Sequence, residues 1–203
     1  MELVSDVAIV TGAAQGIGRG IAEELARLGT SIVIADVDLE GAESTGAELE
    51  DEFDITSLAI ECDVSDRAAV DAMVDEAVEA FGEVGILVNN AGIGPLSLTW
   101  EMPEEEWDQV QDVCLKGTFL CTKSVINHML SAGIDGSIVN VSSLNYKVAT
   151  DGISHYCAAK AGVCQFTKSV AGEAGRYGIR VNAIAPGSTR TPLPEKHGLL
   201  EGH

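Results

Sequence analysis

The sequence predicts an α/β protein built on a doubly wound parallel sheet, and two observations lead to this class. Short, nearly continuous apolar runs recur along the chain, as expected for parallel strands that are buried on both faces. Segments with helical spacing alternate with these runs, which favours right-handed βαβ units around a single sheet. The expected strand order is 3-2-1-4-5-6, the Rossmann arrangement.

The strands are assigned to the apolar runs, and the helices to the amphipathic segments between them. Strands are predicted at 6–11, 31–36, 57–63, 85–89, 136–142 and 179–184. Ser65 is the predicted N-cap of one helix, Pro103 opens a longer one, and a last helix covers 155–176. The first helix, 16–28, is expected to bury one face, formed by Ile17, Ile21, Leu25 and Leu28.

Length and composition predict a single domain over residues 1–203, with 46% apolar residues and no linker or repeat. No apolar run is long enough to cross a membrane, and the acidic start is unlike a signal peptide, so we expect a cytoplasmic protein. The five cysteines form no CxxC pair, which favours reduced, buried thiols. No histidine or cysteine pattern predicts a metal site.

The charge is strongly acidic, with 32 acidic against 12 basic residues and a net charge of -20. Such a surface repels phosphate, so nucleic acid is excluded as a partner. The acidic residues are spread over many predicted helices, as in proteins of salt-loving organisms. An ordinary acidic surface that keeps the protein in solution is the alternative, and both explanations stay open here.

A glycine-rich turn between the first strand and the first helix predicts a nucleotide site. Glycines let the backbone turn tightly and approach a pyrophosphate, and the helix N-terminus offers free N–H groups to it. The predicted contacts are made by Gly12, Gln15, Gly16, Ile17 and Gly18. Asp36 ends the second strand, where a carboxylate binds the ribose 2′-hydroxyl of NAD and repels a 2′-phosphate. A helix-capping role is the structural alternative for Asp36, and NAD is the predicted cofactor.

The whole chain resembles the short-chain dehydrogenase/reductase family, nearest to 3-oxoacyl-thioester reductases and sugar or polyol dehydrogenases. Residues 11–18 read Thr-Gly-x-x-x-Gly-x-Gly and residues 89–92 read Asn-Asn-Ala-Gly, and further family motifs follow in order. The resemblance implies cofactor contacts by Asp63, Val64, Asn90, Pro186, Gly187 and Thr191. It also implies a homo-oligomer formed through the fourth and fifth helices.

A catalytic set is predicted on the last helix. Tyr156 and Lys160 are four residues apart and therefore share a face. A tyrosine is a poor base at neutral pH, and a neighbouring cation makes its phenolate accessible. Tyr156 would then exchange a proton with an alcohol or ketone substrate. By resemblance, Ser143 rather than Ser142 holds the substrate oxygen, and Lys160 also binds the cofactor ribose. His155 is expected at the surface or at the rim of the substrate pocket.

Two departures from the family pattern leave a second hypothesis open. Cys114 stands where the family usually has an asparagine that supports a helix distortion and a water path to the active-site lysine. A thiol is a weak hydrogen-bonding group and is not expected to replace an amide. The chain is also expected to be truncated at its C-terminus, without a seventh strand. The leading hypothesis is an NAD-dependent oxidoreductase of secondary alcohols and ketones; the alternative is an impaired or non-catalytic NAD-binding relative.

Overall fold

A parallel six-stranded sheet forms the centre of the fold in the computed structural model, which describes residues 5–189. The strand order is β3-β2-β1-β4-β5-β6, so the predicted order is confirmed. The strands differ from the predicted bounds by two residues at most. They are β1 (Val7–Thr11), β2 (Ser31–Asp36), β3 (Ser57–Glu61), β4 (Ile86–Asn89), β5 (Gly136–Val141) and β6 (Ile179–Ile184).

In the described part of the chain, six α-helices flank the sheet, and a short π-helical segment, Asp112–Lys116, joins two of them. Short 3₁₀ turns follow β5 and the last helix, at Leu144–Tyr146 and Gly175–Tyr177. The α-helices are α1 (Gly16–Arg27), α2 (Leu39–Glu52), α3 (Arg67–Phe81), α4 (Glu104–Gln111), α5 (Gly117–Ala132) and α6 (Ser154–Ala174). The long helix predicted after Pro103 is therefore divided by the π segment, a feature that often marks functional sites.

The buried face of α1 differs from the prediction. Its fully buried residues are the small ones, Gly18, Ala22 and Ala26, which let the helix lie close to the sheet. The predicted large apolar residues flank this stripe and are only partly buried, and Leu28 lies outside the helix with 48% of its surface exposed. Close contact between helix and sheet, rather than apolar volume, determines which face of α1 is buried.

The N-cap of α3 is also one residue away from the prediction. Asp66, not Ser65, caps the helix, and its carboxylate accepts a 2.9 Å hydrogen bond from the N–H of Ala68. The hydroxyl of Ser65 donates instead to Asp63 Oδ1 at 2.7 Å. The adjacent aspartates thus account for the difference, because Asp63 binds the side chain that was expected to cap the helix.

Two apolar cores cover the two faces of the sheet. Alternate residues of a strand point to opposite faces, so Ile9 and Val10 of β1 belong to different cores. The larger core lies under α3, α5 and α6, and the smaller one lies under α1 and α2. This is the doubly wound arrangement that the sequence predicts.

The strand order reverses between β1 and β4, which are hydrogen-bonded parallel neighbours although β2 and β3 lie between them in the sequence. In open parallel sheets, ligands bind at the carboxyl ends of the strands beside such a reversal. The functional side chains predicted from the sequence follow these strand ends. Within residues 5–189, no helix has both the length and the apolar character of a membrane span. The expected truncation at the C-terminus, without a seventh strand, concerns residues beyond 189, which lie outside this range.

Candidate active site

The glycine turn after β1 is held tightly against the loop after β4. Gly12 has a positive φ of 63°, and a Cβ there would lie 2.8 Å from the Cα of Ala91. A Cβ at Gly18 would overlap the carbonyl oxygen of Gly12. Because both positions exclude any side chain, glycine is required to form the turn itself.

Asn90 braces this turn. Its Nδ2 donates to the carbonyl oxygens of Thr11 and Gly12 at 3.0 and 2.9 Å. The hydroxyl of Thr11 in return accepts hydrogen bonds from the backbone N–H groups of Asn90 and Ala91, both at 3.1 Å. Sequence reasoning assigned Asn90 to the cofactor, and the hydrogen bonds that the structure gives to its side chain hold the glycine turn in place.

The N-terminus of α1 offers unpaired donors at the switch point. Gln15 is the N-cap, its side chain is exposed, and it makes no capping hydrogen bond. The first turn carries no acidic residue either. The N–H groups of Gly16, Ile17 and Gly18 precede the first intrahelical donor and so remain free to bind an anion. These residues fit the phosphates of a dinucleotide.

Asp36 lies at the end of β2, beside the glycine turn. Its Oδ2 accepts a 3.0 Å hydrogen bond from the N–H of Ala14, and its Oδ1 accepts a 3.1 Å hydrogen bond from the N–H of Asp38. Asp38, not Asp36, is the N-cap of α2. The capping alternative considered for Asp36 is therefore wrong. Two backbone contacts fix the Asp36 carboxylate next to the turn.

The sequence on either side of Asp36 contains no basic residue. No Lys or Arg occurs between Arg27 and Arg67. Both arginines of α1 are paired with carboxylates: Arg19 with Glu48, and Arg27 with glutamates of its own helix. A ligand that carried an additional phosphate near Asp36 would face a negative group there.

The segment after β3 presents one polar and one apolar group. Asp63 is exposed, and its Oδ1 accepts hydrogen bonds from the backbone and hydroxyl of Ser65. Val64 is buried, and Gly117 at the start of α5 lets it approach: a Cβ at Gly117 would lie 2.7 Å from Cγ2 of Val64. Asp63 is thus available to a ligand from solvent, whereas the side chain of Val64 is used in packing.

The five cysteines are free thiols, and three of them are buried. Burial and the negative charges of Asp63 and Asp66 raise the pKa of Cys62 to about 11. Burial also raises the pKa of Cys121. Both thiols therefore stay protonated at neutral pH and are poor nucleophiles. Among residues 5–189, no group of three or more His, Cys, Asp or Glu side chains is arranged to hold a metal ion.

Tyr156 and Lys160 come together on α6. Lys160 is 3% exposed, and its Nζ donates a 2.8 Å hydrogen bond to the carbonyl oxygen of Val141 at the end of β5. The same Nζ lies 5.5 Å from the centre of the Tyr156 ring. Gly94 makes room for that ring, because a Cβ at Gly94 would lie 3.2 Å from it. A buried cation beside a half-buried phenol is the arrangement that favours proton exchange at the tyrosine oxygen.

The two serines after β5 have different surroundings. The hydroxyl of Ser142 donates to the carbonyl oxygen of Lys160 at 2.8 Å and accepts from the thiol of Cys164. Ser143 instead exchanges hydrogen bonds with Asn145, at 3.1 and 3.2 Å. Ser142 therefore joins the end of β5 to α6, and Ser143 lies in the loop that follows the strand.

Cys114 lies in the π segment and is fully buried against the loop after β4. Its Sγ accepts a hydrogen bond from the N–H of Ile93 at 3.4 Å and donates to the carbonyl oxygen of the same residue at 3.3 Å. A Cβ at Gly92 would lie 3.4 Å from both Sγ of Cys114 and Nζ of Lys160. The helix distortion is thus present with a cysteine at this position, and the thiol contacts both backbone groups of Ile93.

The last predicted contacts lie after β6. The carbonyl oxygen of Pro186 accepts a 2.8 Å hydrogen bond from the N–H of Leu144, which ties this loop to the Ser143 loop. Gly187 is exposed and follows directly. Thr191 lies outside the described residues.

His155 is fully buried, so it lies neither at the surface nor at an exposed pocket rim, contrary to the prediction. Its side chain is 0% exposed, and its Nε2 lies 3.6 Å from Oε1 of Glu106 on α4. Its carbonyl oxygen accepts a 2.8 Å hydrogen bond from Nε2 of Gln111. Sequence reasoning missed Glu106 and Gln111. The sequence offered one signal for this contact: His155 directly precedes Tyr156, so its side chain must point to another side of α6, where a neighbouring element can pack against it.

The order of these strand ends and side chains matches a known family. Residues 6–199 match the family model described as short chain dehydrogenase. The chain belongs to this family. It is therefore an oxidoreductase of the short chain dehydrogenase family, whose members typically use a nicotinamide cofactor.

Short chain dehydrogenases with several different names are similar to this chain. A hydroxy(phenyl)methylsuccinyl-CoA dehydrogenase subunit of Thauera aromatica is 41% identical over 97% of this chain and 79% of that protein. The D-threitol dehydrogenase of Mycolicibacterium smegmatis is 42% identical over 96% of this chain and 74% of its own length. The 3-oxoacyl-(acyl-carrier-protein) reductase of Staphylococcus aureus is 43% identical over 89% of this chain and 73% of its own length. The resemblance to thioester reductases and polyol dehydrogenases is thus confirmed.

A solved structure of a short-chain type dehydrogenase/reductase from Mycobacterium marinum superposes with a TM-score of 0.94 at 32% identity. The match covers 98% of this chain and 81% of that one. The fold and the family are therefore supported by independent comparisons of sequence and of structure.

Proposed function

We propose that this protein is an NAD-dependent oxidoreductase that interconverts secondary alcohols and ketones. The observation that carries the proposal is the Tyr156–Lys160 pair, with a buried ammonium group 5.5 Å from the tyrosine ring, at the carboxyl edge of the sheet. The bound nicotinamide would accept or return the hydride. The chain's own residues supply binding, orientation and the proton.

The cofactor contacts are proposed from the free donors and the fixed carboxylate around the glycine turn. Free N–H groups of Gly16, Ile17 and Gly18 would hold the pyrophosphate, and Asp36 would bind the ribose hydroxyls of the adenosine half. Further proposed contacts are made by Gly12, Gln15, Asp63, Val64, Asn90, Lys160, Pro186, Gly187 and Thr191. The lone carboxylate of Asp36, with no cation nearby in sequence, favours NAD over NADP.

In the proposed mechanism, Tyr156 takes the hydroxyl proton of an alcohol or gives a proton to a ketone oxygen. The positive charge of Lys160 stabilises the phenolate that forms when the proton leaves. The bond from Nζ to Val141 fixes Lys160 at the strand end, so the charge does not move away from the ring. Ser143 would hold the substrate oxygen and stabilise the developing negative charge by a hydrogen bond.

The catalytic hypothesis is favoured over the non-catalytic alternative. Cys114 was the residue-level argument for an impaired protein, yet its thiol contacts both backbone groups of Ile93. The relatives include a D-threitol dehydrogenase and a 3-oxoacyl-(acyl-carrier-protein) reductase, which supports a small-molecule substrate with a hydroxyl or keto group. We propose a single domain, a homo-oligomer and, because the cysteines are free, a cytoplasmic location.

Two measurements test this function. Calorimetric titration should give at least tenfold tighter binding of NAD than of NADP, and equal or tighter NADP binding would exclude the role of Asp36 in cofactor choice. A panel of polyols, cyclic secondary alcohols and 3-hydroxyacyl thioesters, followed by NADH absorbance, should identify a substrate that is oxidised. Tight NAD binding without turnover on any of these would favour the non-catalytic alternative.

A further inference from the structure

A buried histidine and a buried carboxylate oxygen face each other between α4 and α6. His155 has no exposed surface, and neither ring nitrogen has a hydrogen-bond partner among the described residues. Oε1 of Glu106 is likewise buried and unpartnered. The two groups are 3.6 Å apart, from Nε2 to Oε1.

A hydrogen bond between the two groups would give Nε2 of His155 and Oε1 of Glu106 one partner each. A buried polar group without a partner costs about 1–3 kcal/mol, and more when it is charged. An imidazole Nε2–H is a donor and a carboxylate is an acceptor only, so their chemistry is complementary. The side chain of Glu106 is 25% exposed, so its second oxygen can remain hydrated while Oε1 turns inward. A small rotation about the Glu106 side chain would close the contact to normal hydrogen-bond length.

The contact lies next to the proposed acid–base residue. His155 and Ala159 are one turn apart, both are fully buried, and Ala159 packs with Val110 and Cys114. Tyr156 and Lys160 lie one residue further around the same helix, toward the strand ends. The helix α4 therefore lies against His155, the residue that precedes Tyr156.

The first turn of α6 depends on such external contacts. Its N-cap is Ile153, which makes no side-chain capping hydrogen bond. Gln111 holds the backbone of His155 through a 2.8 Å hydrogen bond to its carbonyl oxygen. A closed contact with the Glu106 carboxylate would hold the side chain of the same residue, and the two bonds together would restrict both shift and rotation of this turn.

We propose that Glu106 is a positioning residue for the reaction: through Nε2 of His155 it fixes the first turn of α6 and so the direction of the Tyr156 hydroxyl. The inference rests on the proposed function, because it assigns Tyr156 the proton transfer. A misplacement of about 1 Å at a reacting group can lower a rate about a hundredfold. A loosened helix turn is thus expected to change kcat more than it changes binding.

The test compares three variants of α4 in the full chain. Glu106→Leu removes the acceptor and should lower kcat about tenfold, with KM and NAD affinity within about twofold of the wild type. Glu106→Gln keeps an acceptor oxygen and should retain kcat within about threefold. Glu105→Leu removes the same charge from the first turn of α4 at an exposed position and should leave kcat unchanged. Thermal unfolding of each variant separates a loss of fold from a loss of position.

A Glu106→Leu variant with wild-type kcat would overturn the inference, whether or not its melting temperature falls. Equal losses of kcat in Glu106→Leu and Glu106→Gln would also overturn it, because the acceptor oxygen would then not be the decisive group. NMR of the histidine and tyrosine rings separates this failure from failure of the proposed function. If wild-type protein has no turnover but Glu106→Leu shifts the Tyr156 ring signals and Glu106→Gln does not, the contact positions Tyr156 and the proposed reaction is wrong.

Discussion

Lys160 is tied to Val141 by a 2.8 Å hydrogen bond from its Nζ to the carbonyl oxygen at the end of β5. The bond joins the helix that carries the proposed acid–base residue to the central sheet. It also explains how a lysine that is 3% exposed keeps a polar partner. The charge is therefore held beside the Tyr156 ring by the sheet as well as by the helix.

Replacing Lys160 by methionine keeps the length of the side chain and removes its charge. The phenolate of Tyr156 then loses its neighbouring cation, and we expect kcat to fall about a hundredfold or more. Steady-state kinetics with NADH detection measures the effect. Lys168→Met, at an exposed position two turns along α6, is the matched control and should keep wild-type kcat. An active Lys160→Met variant would remove the lysine from the mechanism.

Asp36 is predicted to decide between the two nicotinamide cofactors. Asp36→Ala removes the carboxylate that would bind the ribose, so NAD affinity should fall by about 1.5–3 kcal/mol while NADP affinity should not fall. Calorimetric titration with both cofactors gives the ratio. Asp38→Ala removes the nearby N-cap of α2 and should cost about 1 kcal/mol of stability without changing that ratio. An unchanged ratio in Asp36→Ala would show that other residues select the cofactor.

Much of the fold was predictable because the buried strands carry a local signal. Ser31–Asp36 and Ile179–Ile184 agree with the predicted bounds at both ends, and the other strands agree within two residues. The helix α2 was not predicted. Its buried positions include Thr45 and Gly46, which carry little apolar periodicity, and its packing against β2 and β3 depends on small size instead.

The site was predictable only where one residue type implies one chemistry. The tyrosine–lysine spacing indicates a shared helix face, and in the structure Nζ of Lys160 lies 5.5 Å from the centre of the Tyr156 ring. The burial of His155 was not predictable, because its partner Glu106 is on another helix, 49 residues away in sequence. The same holds for Cys114: its two bonds to Ile93 depend on how the loop after β4 meets the π segment.

Cys114 is predicted to matter to the site beyond its contribution to packing. Cys114→Ala removes both bonds to Ile93, so the loop beside Lys160 loosens and kcat should fall about fivefold to tenfold, with a stability loss of about 1–2 kcal/mol. Kinetics and thermal unfolding of the same sample measure both effects. Cys121→Ala, which empties another fully buried cysteine site in α5, should lower stability similarly and leave kcat unchanged. Equal kcat in both variants would make Cys114 a packing residue only.

Stability is expected to rise with salt because the net charge is -20. Self-repulsion among carboxylates destabilises the compact state, and about 1 M salt shortens the screening length to about 3 Å. Melting temperatures in KCl from about 0.1 to about 2 M should therefore increase by several degrees, whereas sorbitol of equal osmolality should give a smaller change. A flat or falling curve would favour the ordinary acidic surface over adaptation to salt.

The central claim is that the Tyr156 hydroxyl transfers the proton, and Tyr156→Phe tests it most directly. The variant keeps the ring against Gly94 and the neighbouring Lys160, so NAD and NADH should bind with affinities within about twofold of the wild type. Turnover of the substrate found in the alcohol panel should fall at least a thousandfold, the upper range for removing a general acid–base group. A Tyr156→Phe variant that binds NADH normally and keeps more than about a tenth of wild-type kcat would contradict the account.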